Sequence, residues 1–170
     1  MGTDTLKEQA RPIEWWLALG SILLYAVVSI AYGFMADGTW DDDCVVRYYN
    51  VKNALNEPHN FVSIWNRPLF VIIFFLPVHL GKYSILFGMV LISCISAWAL
   101  YRSATIMKLR NAWMVVPFFC FQVFFFGVSR NALTEPLSVV IVALGLLFYL
   151  RKQWLWFVVV GSLMPLARLE

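Results

Sequence analysis

The stretch IEWWLALGSILLYAVVSIAYGFM, residues 13–35, decides the class of this chain. Beyond Glu14 it carries no charge, and its length meets the ~20 apolar residues that a helix needs to cross a ~30 Å hydrocarbon core. Trp15 and Trp16 open it and Trp40 stands just past its end, the places that an aromatic belt takes at the two interfaces of a bilayer. The run is too long for the core of a signal peptide and has no small-residue cleavage site, so it reads as an uncleaved anchor behind Asp4, Lys7, Glu8 and Arg11.

The remainder follows the same pattern. The chain is 61% hydrophobic, 17% aromatic and only 14% charged, well outside the soluble globular range. Further apolar runs over 83–101, 112–128, 137–150 and 154–168 predict an all-α membrane protein, a multi-span bundle of about five transmembrane helices. Residues 68–80 are apolar but too short to span comfortably, and Pro77 interrupts them, so they are expected to form a juxtamembrane or re-entrant element. The net charge of +3 is spread along the chain without a Lys/Arg block, which excludes a nucleic-acid partner. Three cysteines, Cys44, Cys94 and Cys120, show no disulfide or zinc spacing. No internal repeat or low-complexity linker is found, and the chain is expected to be the N-terminal part of something longer.

Orientation follows from the short loops. The basic turns 102–110 and 151–152 mark the cytoplasmic side. That places the loop 36–82, the turn 129–136 and the Arg168/Glu170 end on the extracytoplasmic face of a multi-pass protein of the plasma, inner or endoplasmic-reticulum membrane. Arg47, Lys52, Arg67 and Lys82 in the loop vote the other way, and reading 68–80 as a full span would invert everything after it.

The densest chemistry is in that loop, at Asp41-Asp42-Asp43-Cys44-Val45-Val46-Arg47-Tyr48-Tyr49. Three adjacent carboxylates repel one another and need water, a cation, a basic partner or a helix N-terminus. Val45, Tyr48, Tyr49, Lys52 and Leu55 recur at helical spacing, which predicts a short interfacial helix with Asp41 or Asp42 as N-cap, ended by Pro58. The topology gathers Asp41, Asp42, Asp43, Arg47, Arg67, Arg130, Glu135, Arg168 and Glu170 at one membrane face. Carboxylates beside arginines suit a base acting next to a phosphate. The same residues also have plainer uses: aspartates cap helices, arginines meet lipid phosphates, and Arg130 with Glu135 makes an ordinary turn pair.

In the order of these parts the chain resembles the GT-C superfamily of membrane glycosyltransferases, the group of the protein O-mannosyltransferases and the aminoarabinose-lipid A transferases. The likeness rests on Asp42-Asp43, Arg47-Tyr48 and Asn66-Arg67-Pro68-Leu69 in the loop. It extends to Ser129-Arg130-Asn131-Ala132-Leu133-Thr134-Glu135-Pro136-Leu137 and to Leu166-Ala167-Arg168-Leu169-Glu170. The resemblance implies transfer of a sugar from a polyprenyl-phosphate donor to a lipid, glycan or protein acceptor on the extracytoplasmic side. Asp42 or Asp43, with Asp41 beside them, would take the acceptor proton; an offset against the family's Arg-Tyr leaves open which. Arg130, Arg168, Arg67 and Arg47 would hold the donor phosphate, with Glu135 and Glu170 as second acidic positions. Some branches hold a divalent metal, Mg or Mn, for which Asp41, Asp42, Asp43 and Glu135 can supply hard oxygen ligands. The competing expectation is a non-enzymatic multi-span protein, a transporter half or assembly subunit, whose acidic loop binds a cation or partner.

Overall fold

The computed structural model describes residues 12–36, 42–63 and 65–168, and every regular element among them is helical. Two helices are long and apolar enough to cross a membrane: α1 (Pro12–Met35) and α4 (Lys82–Ile106). At 1.5 Å per residue each is roughly 36 Å long. Between them lie α2 (Asp42–Lys52), a 3₁₀ turn at Pro58–Phe61, α3 (Pro68–Phe74) and a second turn at Pro77–Leu80. After them come α5 (Val115–Cys120), α6 (Val123–Val128), α7 (Glu135–Leu150), α8 (Trp154–Gly161) and α9 (Met164–Ala167).

Helix directions follow from which residues meet. Trp15 packs edge-on against Trp98 at 6.2 Å, while Phe34 lies 4.6 Å from Tyr83, so α1 and α4 run antiparallel. Gly33 lets them close: a Cβ there would sit 2.6 Å from Leu86 Cδ2. From α5 to α6 the chain climbs back along α1, from Val116 in the core with Ala18 to Phe126 against Tyr32. Helix α7 then descends parallel to α4. Leu137 and Ile141 share a core with Ile85 and Met89, and Ala143 and Leu147 share one with Ala99. This is the most extensive helix pairing in the molecule. Small residues line it, as in tightly packed membrane helices. The hydroxyls of Ser93, Ser96 and Ser103 are satisfied one turn back, on the carbonyls of Met89, Ile92 and Ala99, each at 2.9 Å. Helices α8 and α9 return along α7, bringing Ala167 into the core with Phe70 and Val71.

Several expected boundaries move, each for a local reason. The run 112–128 is not one helix. Pro117 lacks an N–H and crowds the carbonyl four residues back, and the chain breaks again at Gln122, whose extended backbone lets Oε1 accept from Phe125 N at 2.6 Å. The run 154–168 breaks at Ser162–Leu163, ahead of Pro165 near the start of α9. Helix α4 continues past 101, because Ser103 and Thr105 bond back into the helix, so Arg102 is helical rather than part of a loop. It stops where Lys108 turns left-handed (φ 57°) and Leu109 N reaches Ala104 O at 3.1 Å. Lys152 (φ 56°) ends α7 the same way, with Gln153 N on Phe148 O at 2.9 Å. Both have the pattern usually completed by glycine.

The side of α2 that is buried in the bundle is not the periodic stripe through Val45, Tyr49 and Leu55. Cys44 and Val51 are fully buried, Ala54 just beyond the helix joins them, and Val45, Tyr49 and Leu55 face outward. Small side chains point inward because the helix lies close on Ala132 and Leu137.

Candidate active site

The described helices bring their loop-side ends together. The C-terminus of α1, the segments 42–63 and 65–80, the start of α4, the turn 129–134 and the end of α9 share one end of the bundle, held by the core of Cys44, Val51, Phe70, Phe74, Leu137 and Ala167. The turns at 108–111 and 151–152 lie at the other end. So do Trp15, Trp16, Trp98, Trp113, Trp154 and Trp156, six of the eight tryptophans.

The turn 129–134 is the hub of the loop end. Tyr25 donates its hydroxyl to Ser129 Oγ at 2.6 Å, which ties the turn to α1. Arg47 Nη1 donates to the Ala132 carbonyl at 2.9 Å, which ties it to α2 across 85 residues of sequence. Arg130 is only 8% exposed. Its guanidinium lies 4.1 Å from the Tyr32 ring and 4.4 Å from the Phe126 ring, and Nη1 donates to the Phe126 carbonyl at 2.6 Å. Its Nε is buried without a hydrogen-bond partner. Burial holds its pKa below that of an exposed arginine, with Tyr32 and Tyr25 acting the other way, yet a guanidinium keeps its proton.

Arg130 and Glu135 do not form the turn pair that their spacing suggests. Glu135 opens α7, where the helix dipole favours a carboxylate, but its Oε2 is buried and makes no hydrogen bond. The hub thus holds a buried cation without a carboxylate partner among the described residues, and a carboxylate oxygen without a donor.

The remaining expected residues fall as follows. Asp42 and Asp43 stand exposed in the first turn of α2; Asp41 and Glu170 lie outside the described residues. Arg67 is half-buried and holds φ 57°, ψ 107° just before Pro68, a conformation that costs about 1–3 kcal/mol. Arg168 is half-buried, extended, and follows α9 into the loop end. Among the described residues no three of His, Cys, Asp and Glu come together to hold a metal ion; Asp41, a fourth member of the expected ligand set, lies outside them.

A chain of side-chain amides went unread in the sequence. Asn50 Nδ2 donates to Asn66 Oδ1 at 2.7 Å, Asn66 Nδ2 donates to Asn60 Oδ1 at 3.0 Å, and Asn60 Nδ2 donates to Glu57 Oε2 at 3.2 Å. It fastens α2 to the approach of α3. The spacing of these residues, ten and six apart in a polar segment, carries no periodic signal.

Comparison of the chain with protein families, curated proteins and solved structures finds no match.

Proposed function

We propose that this chain is the membrane-embedded part of a glycosyltransferase that takes its sugar from a polyprenyl-phosphate donor and works at the loop end of the bundle, on the extracytoplasmic side. The five passes are five membrane crossings, in an arrangement like that of the GT-C superfamily. The apolar side chains left exposed along the passes support it: Leu23, Leu24 and Val27 on α1, Phe87 and Leu91 on α4, and the whole of α8, which buries no residue. A soluble protein rarely leaves so much contiguous apolar surface open. The tryptophans and basic turns at the opposite end fit a cytoplasmic interface.

The observation that carries the functional reading is the hub, a buried arginine without a counter-carboxylate among the described residues, in the turn to which Arg47 ties α2. Arg130 with Arg168, and with Arg67 and Arg47 at the rim, suits a departing phosphate. Asp42 or Asp43 takes the proton of the acceptor hydroxyl. The oxygen attacks the anomeric carbon, the bond from that carbon to the phosphate oxygen breaks, and the polyprenyl phosphate leaves with its charge on the arginines. Glu135 is placed to orient an acceptor or sugar hydroxyl at its Oε2. No step uses a metal.

Asparagine variants test this. Asn caps a helix nearly as well as Asp, but it cannot accept a proton, and a general base contributes roughly 10²–10⁴-fold in rate. In the full-length protein, Asp42→Asn or Asp43→Asn should keep expression and thermal stability while losing transfer by that factor. Near-normal turnover in Asp41→Asn, Asp42→Asn and Asp43→Asn alike would sink the catalytic assignment. It would favour the second reading, an assembly subunit, to which the exposure of Asp42 and Asp43 and the open surface of α8 lend support.

A further inference from the structure

At the end opposite the hub, a groove of about 470 Å³ runs from the turn after α4 onto the first turn of α5. Its walls are Arg110, Asn111, Met114, Val115 and Phe118. One end is cationic: Arg110 lines it, Lys108 stands two residues away, both are exposed, and neither has a carboxylate partner among the described residues. The rest is apolar, with Met114 and Phe118 one helical turn apart and both open to the outside. Trp113 beside it packs against the same core as Trp15 and Trp98. Elsewhere at this end of the bundle stand Arg102, Arg151 and Lys152, and Glu14 is the only carboxylate of this end among the described residues.

We propose that this groove binds an anionic phospholipid of the membrane. The phosphate lies against Arg110 and Lys108, and an acyl chain follows Met114, Val115 and Phe118 into the hydrocarbon. The match is in the order of chemistries. A cation sits at the headgroup level and an apolar trough continues from it toward the bilayer, the polarity of an amphiphile. Clustered basic side chains at a membrane surface attract anionic lipid by on the order of 1 kcal/mol each, about five-fold per residue. Asn111, left-handed at φ 57°, turns the chain so that the basic residues precede the trough instead of covering it. The inference rests on the membrane placement and not on the transferase reading, so its failure would leave the aspartate experiments untouched.

The full-length protein in phosphatidylcholine nanodiscs, doped with photoreactive phosphatidylglycerol or photoreactive phosphatidylcholine, supplies the test. Crosslinks mapped by mass spectrometry should favour the anionic probe on the peptide covering 109–119 by on the order of ten-fold. Lys108→Gln with Arg110→Gln should reduce that preference to nearly none. Arg110→Lys, which keeps the charge, and Lys152→Gln, at the same end but off the groove, should leave most of it. Equal labelling by the two probes, or a preference that survives the double change, would overturn the proposal. Competition by soluble glycerol phosphate would also overturn it, since the site would then take a free phosphate.

Discussion

Arg130→Met separates a structural arginine from a binding one. In the folded protein the side chain gains a hydrogen bond from a charged donor to the Phe126 carbonyl, about 1.5–3 kcal/mol. It also gains two ring faces at 4.1 and 4.4 Å, each worth about 0.5–2 kcal/mol. Against this stands a guanidinium taken out of water with no carboxylate partner among the described residues and a buried Nε that makes no bond, together a penalty of several kcal/mol. The two sides nearly cancel, so an apolar side chain of similar length should leave stability within about 2 kcal/mol of wild type. For a domain of this size that is a shift of less than roughly 8 °C in the midpoint. Binding should behave differently. Farnesyl phosphate at about 100 times its Kd should stabilise wild type by about 2.7 kcal/mol through mass action, and should leave Arg130→Met unmoved. Thermal melts of the full-length protein in detergent, with and without farnesyl phosphate, read both quantities. A variant that loses more than about 4 kcal/mol yet keeps its ligand shift would make Arg130 a packing residue and refute the phosphate assignment.

Three further outcomes are expected. Because Cys44 is fully buried and Trp65 is 84% exposed, a membrane-impermeant thiol reagent on intact cells should label Trp65→Cys and spare Cys44; labelling of Trp65→Cys only after permeabilisation would invert the topology. Arg47→Met removes the bond between α2 and the 129–134 turn and should cost about 1–2 kcal/mol, read as a lower melting midpoint, since the arginine is only half-buried. In Gly88→Ala the new methyl would meet Phe74 Cε1 at 2.5 Å, so it should cost about 1–3 kcal/mol and raise hydrogen exchange in α3 more than in α1.

The helical class, with two runs long and apolar enough to cross a membrane, was legible because uninterrupted apolar length is a property of contiguous residues. The sequence also placed the charged residues at span ends, and the structure brings the described ones to one end of the bundle. What it could not carry was pairing at a distance. That α7 lies parallel to α4 depends on Leu137 meeting Ile85 and Ala143 meeting Ala99, contacts that no local pattern announces. The helix breaks were half-visible. Pro117 and Pro165 are strong signals, but the cap from Gln122 depends on a backbone turn that composition does not reveal. On α2 the periodic stripe through Tyr49 and Leu55 was legible, but the buried side through Cys44 and Val51 was not, because it is set by contacts with residues distant in sequence. Arg130 could be named from its neighbours in sequence, but its seat between Tyr32 and Phe126 could not, because Tyr32 lies about 100 residues earlier in the chain.

The pairing of α4 with α7 also sets an order of events during synthesis. On the membrane placement proposed above, α4 enters the bilayer well before its main partner exists, and it carries the hydroxyls of Ser93, Ser96 and Ser103 in with it. Hydroxyls left bare in hydrocarbon would draw water in or push the helix back out. Each is closed onto a carbonyl of its own helix, so none of these three hydroxyls needs a partner from outside α4. The helix can wait among lipid tails, and then exchange those tails for the small-residue face of α7 without breaking any of the three hydrogen bonds.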